Sequence, residues 1–205
     1  MKLKEKSFRE LRKQYIYLAV PELAAQIVAF FEGAEQATGV LCYCYLEHER
    51  GLQLEVLCCA RFDAEAHSLR LGNGNQAQSV ALPYASVSEV EAAVLPAALP
   101  RLAEFKPKVE SVQSRSHVTA AVEKTRQLTT LDHLRSAERP DEVAVRLVHG
   151  ESVEEVTVRL EGVSEMQLYG KLVSEPKSDF GVHAGDSLSF YLVKNAQGIM
   201  CLALV

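Results

Sequence analysis

The chain has 205 residues, 48% of them apolar and 24% charged, which is ordinary for one large globular domain or two small ones. No apolar run reaches the ~18 residues of a membrane helix, and no apolar signal core follows Met1–Lys6, so the expectation is a cytoplasmic protein that neither crosses nor coats a membrane. The net charge of −5 argues against nucleic acid, which wants a basic face, and the excess lies in residues 141–205, with 10 acidic and 5 basic side chains.

Ser7-Phe8-Arg9-Glu10 spells a capping box, in which hydroxyl and carboxylate satisfy the free N–H groups of a helix start. Phe8, Leu11, Tyr15 and Leu18 follow at helical spacing, and the basic residues among the first thirteen make this a basic amphipathic helix. Pro21 suits the first turn of a second helix, with Leu23, Ile27 and Phe31 as its stripe, widened by Ala24 and Val28, and Gly39 at its stop. A hairpin comes next. Val40, Cys42, Cys44, Leu46 and His48 alternate before Glu49-Arg50-Gly51; Leu52, Leu54, Val56, Cys58 and Ala60 alternate after it. That register sets Cys42 opposite Cys58. A second hairpin is expected between Ser68–Leu71 and Ser79–Leu82, around Gly72-Asn73-Gly74-Asn75. Ser86-Val87-Ser88-Glu89 opens another helix, with Val90, Ala93, Val94 and Ala97 on its face. Residues 105–116, with Lys106-Pro107-Lys108, read as a linker, and His117–Ala137 as a helix that Pro140 ends.

Beyond Pro140 the pattern has period two. Val143, Val145 and Leu147 alternate, as do Val156, Val158 and Leu160; Met166, Leu168 and Leu172; and Leu188, Phe190 and Leu192. The segment Ile199–Val205 is apolar on both faces. Five strands at this spacing predict a small β-barrel or a curled sheet. The fold class is therefore α+β: helices on an antiparallel sheet over residues 1–110, then a helix and a five-stranded barrel over 117–205.

No catalytic constellation emerges. Cys42-Tyr43-Cys44 and Cys58-Cys59 fall mid-strand, where thiols cannot converge as a zinc knuckle requires, so they read as core residues and no metal site is expected. The histidines His48, His67, His117, His133, His149 and His183 form no H-E-x-x-H pair. Asp179-Phe180-Gly181 matches the magnesium triplet of protein kinases, but the glycine-rich loop and the His-Arg-Asp segment are missing. Ser174–Asp186 instead spans about 13 residues, near the upper limit for a structureless connection, and such loops are often functional. Within it Asp179, Phe180, His183 and Asp186 are the candidate binding residues of a recognition loop, and His183 could make binding pH-sensitive.

Tyr169-Gly170-Lys171-Leu172-Val173-Ser174-Glu175-Pro176, followed by Gly185-Asp186 before a strand, resembles an uncharacterised bacterial small-barrel family, over about residues 117–194. Barrels of that kind are similar to immunity domains of toxin systems, so the resemblance implies protein binding and transfers no catalytic residue. The usual Trp-bearing ending is absent, since the chain has no Trp. The leading expectation is a non-enzymatic protein-binding or regulatory protein, in the manner of an immunity-type inhibitor, with a protein partner, self-association as a homodimer open, and no cofactor. The alternatives are a cytoplasmic chaperone for a secreted effector and an enzyme whose site lies between the two modules.

Overall fold

The computed structural model describes residues 1–27, 31, 36–63, 68–74, 78–165, 167–196 and 198–205. Val28, His67, Asn75 and Met166, named above, lie outside these. The chain divides into two compact units, Met1–His117 and Val118–Val205.

The first unit is built on an antiparallel sheet. Helix α1 (Phe8–Leu11) is one turn long, capped by Glu10 Oε2, which accepts from Ser7 N at 3.0 Å. The expected continuation to Leu18 does not form. Lys13 takes a left-handed backbone (φ 65°), and the main chain of Lys13 and Gln14 bonds to that of Cys44, which steers the chain into the sheet. Tyr15–Leu18 is strand β1, between β2 (Gly39–Glu47) and β6 (Ala92–Leu95). Aromatic and β-branched residues gain more on a pleated surface with neighbours on both sides than on an isolated helix turn. The strand that became β6 was expected as a helix from Ser86; only α3 (Tyr84–Val87) is helical there, and Pro96 follows the strand.

Helix α2 (Pro21–Ile27) forms where Pro21 signalled it. The β2–β3 hairpin (β3, Gly51–Asp63) also forms, with Gly51 left-handed at φ 79°. Its register differs from the expected one. Cys44 pairs with Leu54 and Cys42 with Val56, and a bulge then pairs Leu41 with Cys58. The extra residue turns Cys58 to the other face from Cys42, which removes the geometry for a disulfide between them. The second expected hairpin is absent: β4 (Ser68–Leu71) and β5 (Ala81–Pro83) each pair with β3, over Ala60–Asp63 and Gln53–Glu55. The sheet runs β4-β3-β2-β1-β6, with β5 beside β3.

The expected linker is helix α4 (Lys106–Arg115), with Pro107 in its first turn, where the missing N–H costs nothing. Its buried Val109 and Val112 belong to the core of this unit. Gln113 donates to Tyr43 Oη at 2.6 Å. Both faces of β2 are thereby buried, and over most of β3 as well, where Gln53 and Glu55 are buried polar residues between Leu52, Leu54 and Val56.

The second unit opens with α5 (Ala120–Gln127), whose N-cap Thr119 accepts from Val122 N at 3.3 Å. The expected helix to Ala137 breaks after Gln127, and Thr129–Leu134 continues as a 3₁₀ segment. Five strands follow: β7 (Glu142–His149), β8 (Ser152–Ser164), β9 (Gln167–Leu172), β10 (Ser187–Asn195) and β11 (Gly198–Leu204). They close as β10-β11-β7-β8-β9, all antiparallel except the β11–β7 seam, which is parallel. Val145, Val158, Leu160, Leu168, Phe190 and Ala203 fill the interior. At the β8 bulge Gly162 faces Tyr169; a Cβ there would lie 2.2 Å from the Tyr169 hydroxyl.

Candidate functional site

The strand register places two different plugs at the two ends of the barrel. One end gathers the start of β7 and the 3₁₀ segment, from which Leu131 enters the core. Here Arg126 of α5 donates to Asp141 through Nε (2.9 Å) and Nη2 (2.6 Å), both side chains being 2% exposed. The bidentate geometry satisfies most of both charged groups at once, which a buried pair needs to offset its desolvation. Arg135 adds donations to the carbonyls of Thr125 (2.5 Å) and Pro140. This end is a structural lock between helix and barrel.

The opposite end gathers the end of β7, the start of β8, the end of β9, the start of β10 and the end of β11. The connection 173–186 covers it. Phe180, expected among the recognition contacts, turns inward, is 4% exposed and belongs to the barrel core. The loop is braced by its own polar groups. Asp179 Oδ1 accepts from Gly181 N (3.0 Å), and Asp186 Oδ2 from His183 N (2.8 Å). Gly181 and Gly185 hold positive φ, as turn residues there require. Glu175 grips the far side of the loop, accepting from Ala184 N (2.8 Å) and meeting His183 Nδ1 at 2.7 Å. Glu154, at the start of β8, accepts from Lys177 N (2.8 Å) and Ser178 N (3.1 Å). Of the four candidate residues, Asp179 and Asp186 brace the backbone, Phe180 anchors, and His183 stays largely in solvent.

The His183–Glu175 contact shifts both groups. The Glu175 carboxylate raises the His183 pKa above 6.5 by accepting its hydrogen bond and by its charge, with Asp186 and Asp179 adding to the field. Glu175 is held below 4.5 by the Ala184 N–H and by His183.

The outer wall beside this loop carries the feature that the period-two pattern did not reveal. Val153, Val148 and Leu204 stand in one cross-strand row over β8, β7 and β11. Val153 is 61% exposed and Leu204 73%. The next row but one along the strands reads Glu155, Arg146, Leu202 and Tyr191, the last 50% exposed. Val153 adjoins Glu154, so the row borders the loop directly. Further along the same wall lies an open cleft of about 220 Å³, with Leu134, Arg146, Glu155, Asn195, Ile199 and Met200 in its lining.

In the first unit the buried polar cluster is Glu55, which is fully buried and meets Lys108 Nζ (3.1 Å), Arg115 Nη2 and Ser79 Oγ (2.7 Å). Arg115 also lies over the Tyr45 ring at 5.7 Å. It ties α4 to the sheet. The basic N-terminal residues are likewise spent on structure: Lys2 and Lys4 meet Glu89, and Lys6 meets Glu10. All five cysteines are free and buried, and burial pushes the Cys44, Cys58 and Cys201 thiols up to about 12, far from reactive thiolates. Among the described residues no group of three or more His, Cys, Asp or Glu could hold a metal, and no helix is long and apolar enough to cross a membrane.

No protein-family model, curated protein or solved structure matches the chain. The small-barrel resemblance of residues 117–194 rests on its Gly-x-Leu, Ser-x-Pro and Gly-Asp motifs.

Proposed function

We propose that the protein is a non-enzymatic protein-binding module whose contact surface is the outer wall of the barrel at β8–β7–β11, bordered by the 173–186 loop. One observation carries this reading. Val153, Val148 and Leu204 form an apolar row in register across three paired strands, with Val153 and Leu204 mostly exposed. Single exposed apolar residues are normal on any surface, but a contiguous row on a rigid sheet is what a partner's apolar side chains cover. The loop adds His183 and Glu175 at the rim, already fixed by four hydrogen bonds within it and so cheap to order on binding. The resemblance to immunity-type barrels supports an inhibitor that binds a partner protein through this wall.

The test is site-specific photo-crosslinking. A benzophenone side chain at position 204, introduced in cells of the native host, is expected to give one dominant protein adduct. Val153→Asp in the same chain should abolish it. A dominant adduct of this chain with itself would make the partner a second copy. Adducts spread over abundant proteins, unchanged by Val153→Asp, would overturn the reading. With the purified partner, Val153→Asp and Leu204→Asp should each weaken binding by about tenfold or more.

A further inference from the structure

We infer that the cleft on the barrel wall is an anchor site for a carboxylate side chain of the partner, with Arg146 as its cation; this rests on the reading of the wall as a contact surface. Arg146 sits on β7 with its side chain on the outer face and half-buried in the cleft. Other buried or half-buried cations have carboxylates to meet: Arg126 has Asp141, Lys108 and Arg115 share Glu55, Arg135 has Asp132 at 3.4 Å, and Arg159 has Glu142 at 3.0 Å. Arg146 has none. Its guanidinium donates through Nη1 to the Met200 sulfur at 3.9 Å, a weak acceptor for a group with five N–H donors. Its cross-strand neighbour Glu155 lines the same cleft without forming an ion pair with it.

The surroundings fit the chemistry of an acidic side chain on an apolar stem. Leu134, Ile199 and Met200 supply apolar walls. In such a half-dry setting an Arg–carboxylate contact is bidentate and stronger than a neutral hydrogen bond. The cleft lies on the same wall as the apolar row, and Leu202 and Tyr191, in the row of Arg146, continue the surface beyond it. A partner covering Val153 and Leu204 therefore brings its next residues over Arg146. Glutamate, with two methylenes before the carboxylate, has the reach for a cleft of this size.

The probe is the capped tripeptide acetyl-Leu-Glu-Leu-amide, with its Gln analogue as control, titrated into the full chain by NMR. The expected result is a saturable shift of the Arg146 Nε–H and Met200 methyl signals with the Glu peptide. Binding should be about tenfold weaker for the Gln peptide, and about tenfold weaker for the Glu peptide on Arg146→Gln, matching the loss of one charge-assisted contact. The Gln-peptide comparison needs no variant, so it holds even if Arg146→Gln disturbs the fold. Equal shifts with both peptides, or no shift at these two signals with either, would overturn the inference. Since the probe is a peptide rather than the cellular partner, the anchor site can fail while crosslinking at position 204 succeeds, and the reverse.

Discussion

The two units manage the same problem, strand edges and two-sided burial, in opposite ways. The first leaves its sheet open and seals it with helices, so both faces of β2 and β3 are spent on the core and α4 is tied down through Glu55. The second closes its sheet on itself, so the interior consumes only one face. The outer face is then free to be chosen, and there the exposed apolar row and the Arg146 cleft occur. Closure is what leaves the second unit a β8–β7–β11 wall to present.

Substitutions can break this contrast, beginning where the effect is largest. Asp141→Ala leaves Arg126 buried without its carboxylate and should cost about 3–5 kcal/mol, read by chemical denaturation followed at barrel signals. Phe180→Ala empties the plug under the loop. It should cost about 3 kcal/mol, with faster hydrogen exchange at Leu172 and Gly185, whose N–H groups bond across the loop base. Glu55→Gln should cost less than Asp141→Ala, about 2–3 kcal/mol, because the Arg115 head is 40% exposed and can turn to water. If it costs more, the open sheet depends on its ionic tie more than the barrel does, and the contrast is wrong.

The smallest effect is the pH response of the loop. The raised His183 pKa means its contact with Glu175 is complete below the ordinary value of 6.5 and fades as pH rises through the raised value. Glu175, shifted down, keeps its charge to below 4.5, so the clasp is tightest between these limits. An NMR titration should give His183 a higher midpoint in the native chain than in Glu175→Gln. Equal midpoints would show that the exposed pair is not formed in solution.

What the sequence revealed follows the same division. The barrel was legible because alternation persists over β7–β11 and each strand is long enough to show it; Asn195–Gly198 and His149-Gly150 marked the turns. In the first unit the signals were local and ambiguous. Phe8, Leu11, Tyr15 and Leu18 satisfy a helical spacing, and only the neighbours far along the chain, Leu41–Tyr43 and Ala92–Leu95, make Tyr15–Leu18 a strand. Lys106-Pro107 reads equally as a linker or as a helix start, and the burial of Val109 and Val112 decided it. The long connection between β9 and β10 was legible as a span without a strand pattern, but which of its residues point inward was not written in it. Phe180 looked like a contact because an aromatic in a polar loop can serve as either plug or bait. Arg146 was invisible as a site, since an outward Arg on a strand is commonplace until its lack of a carboxylate is seen.

The parallel seam between β11 and β7 also sets the order in which the second unit can be made. Val145 and Cys201 are paired across 56 positions of chain, counted as 201 minus 145. Bringing such distant segments together costs roughly 3–4 kcal/mol of loop entropy before the pairing offsets it. Every other strand pair of the barrel joins sequence neighbours or spans one connection. The seam is therefore expected to be the slow step: until Gly198–Leu204 is available, the four earlier strands form a curled sheet whose β7 edge is bare over Val145–Val148. A chain halted before that segment would present a template for edge-to-edge pairing, so release of β11 is the moment at which the unit becomes safe from its own copies.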